Sequence, residues 1–244
     1  MSGRVGAAGA ISLTYGIVLR QLVTRGRLAA LFAVGAVVTA VAYAVGATDL
    51  TDRTVTGVEL ISNLGFTTLL PIVALVFASA ALGDLREDGT LVYLWLRPMQ
   101  RWSVVVGAWA ASVTASLPLT LVPLVASAIV VDGGSDLVWA TLLAGLIGVI
   151  TYAAIFVLVG LVLKNPIVWG LGYILIWEGI VAAFGSFAAK LAVRGYTRSI
   201  ITAITGVDLE LGELSLTAGV VVPLLVSVAA LGLAARRLRT MEVA

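Results

Sequence analysis

The chain has 244 residues, 61% of them hydrophobic and 11% charged, with a mean hydropathy of +1.12; a soluble domain carries about 25% charged residues, so the solvent of this chain is mostly lipid. A net charge of +2, with no basic tract interleaved with aromatics, argues against a nucleic-acid partner. The absence of cysteine and histidine excludes disulfides, Cys-ligated metals and Ser-His triads, and removes the commonest metal ligand and general base.

In chain order, the first element is Ile11–Arg27. Ile11, Tyr15, Val18 and Leu22 recur at helical spacing, with Arg20, Gln21, Thr24 and Arg27 between them. The pattern is that of an amphipathic helix lying in the membrane interface with its arginines near anionic headgroups. Six stretches then reach the ~20 apolar residues that a span requires, at residues 28–46, 60–82, 102–131, 137–163, 167–189 and 216–235. The third is long enough to need tilting, or ends outside the hydrocarbon. Ala42-Tyr43-Ala44 resembles a signal-peptidase site, but the apolar run before it is too long for a signal-peptide core, so an uncleaved span is expected.

The positive-inside rule orients the spans. With both ends cytoplasmic, that side holds Arg4, Arg20, Arg25, Arg27, Arg86, Arg97, Arg101, Lys164, Arg236, Arg237 and Arg239, which is 11 of the 15 basic residues. Arg53, Lys190, Arg194 and Arg198 are left outside, where most of the acids also fall. Trp102, Trp139 and Trp169 lie near span ends, where amphipathic rings anchor.

Between the second and third spans lies the segment 83–101, GDLREDGTLVYLWLRPMQR. Asp84 and Glu87 have the spacing of a capping box, Leu91, Leu94 and Trp95 line one helical face, and Pro98 stops the helix. A short cytoplasmic helix is expected, with acids at its start and Arg97 and Arg101 near its end, as the helix dipole favours. On these residues alone a solvated loop is an equal reading. Between the fifth and sixth spans, the segment 190–215 has an apolar middle, Tyr196–Ile204, suited to a short helix on the outer surface or one that dips back into the membrane.

Glu178 is the one ionisable residue inside a predicted span, about 20 Å from its cytoplasmic end at 1.5 Å per residue. A carboxylate there costs several kcal/mol unless it is paired or protonated. Two readings stand side by side: a transport role, and a hydrogen bond that holds the bundle together. Arg194 and Arg198 are the candidate partners if the outer segment folds back. Pro71, Pro118, Pro123 and Pro223 predict kinks or local unwinding, and Thr141, Ala144, Gly145, Gly148 and Thr151 form a small-residue stripe for close packing. A P-loop needs Gly-Lys, but Lys164 and Lys190 follow Leu163 and Ala189, so the chain has no such ATP site. No internal repeat and no potassium-channel filter signature is present.

Two segments carry a resemblance. Glu87-Asp88-Gly89-Thr90-Leu91, followed by Leu94, Pro98 and Arg101, resembles the E-x-G-T-L…L…P-x-x-R signature of ABC-2 type permeases. Tyr173-Ile174-Leu175-Ile176-Trp177-Glu178-Gly179 is similar to the aromatic-apolar-W-E-G run in the fifth span of many bacterial members. One departure is Gly107-Ala108, where many members have a lysine after the glycine. The resemblance implies an all-α membrane protein of six spans with both termini cytoplasmic and an N-terminal interfacial helix, in the type V exporter-like arrangement. It implies a permease subunit that is no enzyme itself, paired with a second permease, most simply as a homodimer, and served by two copies of a separate P-loop ATPase that bind ATP and Mg. Asp84, Arg86, Glu87, Asp88, Gly89, Thr90, Leu91, Leu94, Pro98 and Arg101 would form the ATPase-coupling region, with Trp177 and Glu178 as the intramembrane pair of interest. A high content of Ala, Gly and Val, and Arg in preference to Lys, suit a bacterial plasma membrane. The apolar spans favour a hydrophobic or amphipathic cargo. Without the resemblance, a membrane-embedded lipid-modifying enzyme and a non-transporting structural or regulatory protein both stay open.

Overall fold

The structure, a computed structural model, describes residues 6–87, 100–180, 190–209 and 214–241. Among these, all regular secondary structure is helical. The helices are α1 (Ala7–Leu22), α2 (Arg25–Gly46), α3 (Arg53–Leu60), α4 (Leu70–Glu87), α5 (Arg101–Val131), α6 (Gly134–Val162), α7 (Pro166–Gly172), α8 (Val193–Thr205) and α9 (Leu216–Thr240). A π-helical segment, Ile61–Leu69, fuses α3 to α4, and a second, Tyr173–Glu178, extends α7. Five helical stretches are long and apolar enough to cross a membrane: Arg25–Gly46, Arg53–Arg86, Arg101–Val131, Gly134–Val162 and Leu216–Thr240. The predicted span 167–189 is described only as far as Ile180.

Several boundaries differ from the sequence reading: α4 runs on to Glu87, α6 starts at Gly134 and α9 extends to Thr240, and two further shifts lie nearer the N-terminus. The first helix ends at Leu22, and Arg25–Arg27 open α2 behind Thr24, whose hydroxyl accepts the Arg27 N–H at 3.4 Å. Ala10, Thr14, Val18 and Leu22 are the buried face of α1. They lie against α5, where a Cβ at Gly107 would meet the Ile11 carbonyl at 2.8 Å. The neighbouring Ala108 is fully buried, so this crossing has no room for a longer side chain. The second predicted span begins earlier, at Arg53, because Asp52 caps α3 by accepting the Val55 N–H at 3.0 Å.

The π-helical segment Ile61–Leu69 sits immediately before Pro71. Proline donates no N–H and strains a regular α-turn. Here the ladder has already shifted register, and the Leu70 N–H bonds the Gly65 carbonyl.

The helices run alternately up and down. At one end, Arg27 pairs with Asp84, and Arg86 bonds the last carbonyls of α6; this is the basic end. At the other, Arg53 bonds the carbonyls of Gly46 and Val131, and Thr54 bonds that of Gly133, tying α2, α3, α5 and α6 together. Asp132, in the left-handed region at φ 60, makes the tight turn from α5 to α6.

The centre of the bundle is α6. Its small-residue stripe, Thr141, Ala144, Gly145, Gly148 and Thr151, is buried throughout. A Cβ at Gly148 would lie 2.9 Å from Leu70 Cδ1, and one at Gly160 would collide with the Ser79 carbonyl of α4. Hydroxyls within the bundle are mostly satisfied by the preceding turn, as where Thr141 donates to Leu137 O at 2.7 Å and Ser112 to Ala108 O at 2.9 Å. Replacing Gly160 with Ala forces backbone against backbone and should cost about 1–3 kcal/mol. Gly232→Ala, whose Cβ meets nothing within 4 Å, should be neutral or stabilising by up to about 1 kcal/mol through helix propensity. Thermal loss of the monodisperse species in detergent measures both. Equal melting of Gly160→Ala and the unaltered chain would mean that α4 and α6 are not in tight contact there.

Candidate functional site

Glu178 closes the π-helical segment Tyr173–Glu178 and is 2% exposed. In an α-helix, residues five apart point about 140° away from each other. The wider π turn brings Tyr173 and Glu178 to one face, and the Tyr173 hydroxyl donates to Oε1 at 2.8 Å. Tyr152, fully buried on α6, donates to Oε2 at 2.6 Å. Two further donors come from the first turn of α8: the Val193 N–H bonds Oε1 at 3.0 Å and the Arg194 N–H bonds Oε2 at 3.1 Å.

The backbone N–H groups at a helix start have no partner within the helix. In α8 the N-cap residue is Ala192, which offers no side-chain acceptor. Glu178 supplies that acceptor from another helix, and the positive end of the helix dipole favours its charge. Each carboxylate oxygen accepts two bonds, so the group serves here as a fourfold acceptor. Tyr152 lies about 15 Å from the basic end of α6, counting back from Val162 at 1.5 Å per residue. That is half of a ~30 Å hydrocarbon core.

Helix α8 is inserted into the bundle rather than laid across its surface. Val193, Arg194, Gly195, Thr197, Arg198, Ser199, Ile200 and Ile201 are buried. Thr197 abuts Gly148 on α6, and Ile200 abuts Gly219 on α9. The segment after the fifth predicted span therefore does fold back, but neither guanidinium bonds the carboxylate. Arg194 bonds Glu178 through its backbone, and its buried side-chain Nε has no hydrogen-bond partner. Arg198 donates to Asn63 Oδ1 at 2.7 Å, in the first π-helical segment. Trp177 is half-buried beside Glu178.

A carboxylate committed to four donors has no lone pair left for a metal or for a proton in catalysis unless one of these four bonds is first broken. Among the described residues, no group of three or more His, Cys, Asp or Glu could hold a metal ion. The arrangement is a clamp: it joins α6, α7 and α8 at one point, and opening it frees the start of α8.

At the basic end, Asp84 lies inside α4, and no helix begins there. It accepts Arg27 Nη2 at 2.8 Å, a pair one-third exposed and worth about 0.2–1 kcal/mol. Arg86 donates through Nη1 to the carbonyls of Leu161 and Leu163, each at 3.1 Å, satisfying the end of α6. Glu87 is the last residue of α4, and Arg101 is the first of α5. Asp88, Gly89, Thr90, Leu91, Leu94 and Pro98 lie outside the described residues. The basic end and the Glu178 clamp are therefore separate features linked through α6.

Sequence reasoning passed over Tyr152 and Asn63, and it took Tyr173 only as part of the W-E-G run and not as a partner of Glu178. The signal was available: a phenol or an amide inside an apolar span needs a polar partner.

No family model matches the chain, and no curated protein matches it with significance.

Glu178→Gln should destabilise the protein. The amide NH2 cannot accept, so the Val193 or Arg194 N–H loses its partner, at about 1–3 kcal/mol for each buried group left unpaired. Tyr152→Phe removes one donor and leaves no backbone group orphaned, so it should cost less. Hydrogen exchange across 193–205 reads the clamp directly: faster exchange in Glu178→Gln is expected, and unchanged protection at Val193 and Arg194 would contradict the capping role.

Proposed function

We propose that the chain is the membrane-spanning permease subunit of an ATP-binding cassette exporter in a bacterial plasma membrane, with both termini cytoplasmic and its basic end facing the cytoplasm. The observation that carries the reading is the pair of ABC-2-like segments, Glu87-Asp88-Gly89-Thr90-Leu91 with Leu94, Pro98 and Arg101, and Tyr173 to Gly179, in the second connecting segment and the fifth span. The chain has no P-loop of its own, so ATP and Mg would be bound by a separate ATPase, in two copies.

The mechanics of the basic end support this reading. The connection from Glu87 to Arg101 is rooted in α4, and that root is tied to α2 by Arg27–Asp84 and to the end of α6 by Arg86. A force applied to the connection by an ATPase would reach α6 as a rigid-body displacement, the kind of movement on which packed helices switch. From α6 it would reach Tyr152, hence Glu178 and α8.

Pairing with a second permease fits the outer flank of the first π-helical segment. There Asn63, Leu64 and Thr68 are exposed at a depth where polar groups need protein or water as neighbours. A homodimer would cover them. The cargo would be hydrophobic or amphipathic, since the spans offer little polar lining for a hydrophilic polymer.

Purification from the native membrane in mild detergent should bring down a stoichiometric P-loop ATPase. Glu87→Lys should release it, or leave ATP hydrolysis running without transport. Absence of any ATPase after crosslinking in intact membranes, or full transport by Glu87→Lys, would overturn the assignment.

A further inference from the structure

We propose that a notch at the basic end, between α4, α6 and the turn into α7, binds the phosphate of an anionic phospholipid headgroup. The notch has a volume of about 420 Å³ and is lined by Gly83, Arg86, Gly160, Leu163, Lys164 and Asn165, within the size range of small-ligand sites. Its polar side chains are an ammonium, a guanidinium and an amide, and among the described residues no carboxylate lines it.

Arg86 is set in place before any ligand arrives. Both of its bonds to the Leu161 and Leu163 carbonyls use Nη1, which leaves Nη2 for a phosphate oxygen. Lys164 is exposed on the turn and adds a second cation with three donors. The room comes from two glycines. A Cβ at Gly83 would meet Gly160 and Pro166 only at 3.6–3.7 Å, ordinary contact, and Gly83 lines the notch, so a side chain added there would take up its space.

The neighbouring surface selects a lipid over a free anion. Directly after Asn165, α7 presents Ile167, Val168 and Trp169, exposed at 51%, 66% and 63%. An apolar strip beside two cations, with a tryptophan at the boundary, matches a phosphodiester with acyl chains below it. Inorganic phosphate would use the cations and leave the strip unoccupied. This proposal needs only the chain's place in a membrane and is independent of the transport reading.

The test is native mass spectrometry of the full chain in mild detergent, with dioleoylphosphatidylglycerol or dioleoylphosphatidylcholine added. Preferential retention of the phosphatidylglycerol is expected. Lys164→Gln should lower that retention by roughly fivefold, as expected for one basic residue at an anionic surface, and Lys164→Arg should keep it. Gly83→Leu should remove it without altering any charge, with thermal stability as the check on folding. An excess of inorganic phosphate should not displace the lipid. Equal retention in Lys164→Gln and Gly83→Leu would overturn the site, and displacement by phosphate alone would make it a soluble-anion site. Loss of a bound protein from Lys164→Gln membranes with lipid retention intact would assign the notch to an acidic protein partner instead.

Discussion

In hydrocarbon every backbone N–H must find a partner within the protein, and α8 begins with Val193 and Arg194 buried, at 6% and 8% exposure. The Glu178 carboxylate meets that requirement. It takes the Val193 and Arg194 N–H groups and is itself held by Tyr152 and Tyr173. Without it, the start of α8 would carry orphaned donors beside a buried Arg194, and the docking of the helix between α6 and α9 would be weakened at that end. The π turn ending at Glu178 follows from the same constraint, because only that register puts Tyr173 and Glu178 on one face.

The first π-helical segment serves a parallel purpose. It absorbs the missing N–H of Pro71 and presents Asn63 to Arg198. The two irregular segments thus hold the two ends of one contact surface: the second anchors the first turn of α8, and the first anchors its next turn. Between them the regular helices pack on small residues, with Gly148 and Gly160 on α6 setting the distances to α8 and α4. Each irregular segment turns one face into the bundle, Ile61, Ser62, Gly65 and Phe66 in the first and Ile174 and Glu178 in the second, and leaves its other face exposed.

Much of this layout was legible in the sequence. The apolar runs located the long helices, because a ~30 Å core imposes a length that few other structures share. The stripe from Thr141 to Thr151 announced close packing, since small side chains are what let backbones approach. The lone Glu178 was conspicuous for its cost in lipid. Its partners were harder to find. Charge complementarity pointed to the guanidinium groups of Arg194 and Arg198, whereas the geometry uses the Arg194 backbone, which any residue type would have provided. Asp84 and Glu87 had capping-box spacing, but Leu82 and Gly83 do not stop α4, and the helix runs on to Glu87. The π segments have no strong periodic signature, although Pro71 marked the position of one.

The account depends on α8 being docked inside the bundle by Glu178, and the natural absence of cysteine makes this simple to measure. Thr197→Cys, 1% exposed at its native threonine, is placed in the full chain in lipid nanodiscs and treated with a charged maleimide, with Ser135→Cys, exposed beside the turn from α5 to α6, as the reactive control. The expected result is no labelling at position 197, and rapid labelling there once Glu178→Gln is added. Prompt labelling of Thr197→Cys alone, at the rate of the control, would contradict the account by placing α8 on the surface.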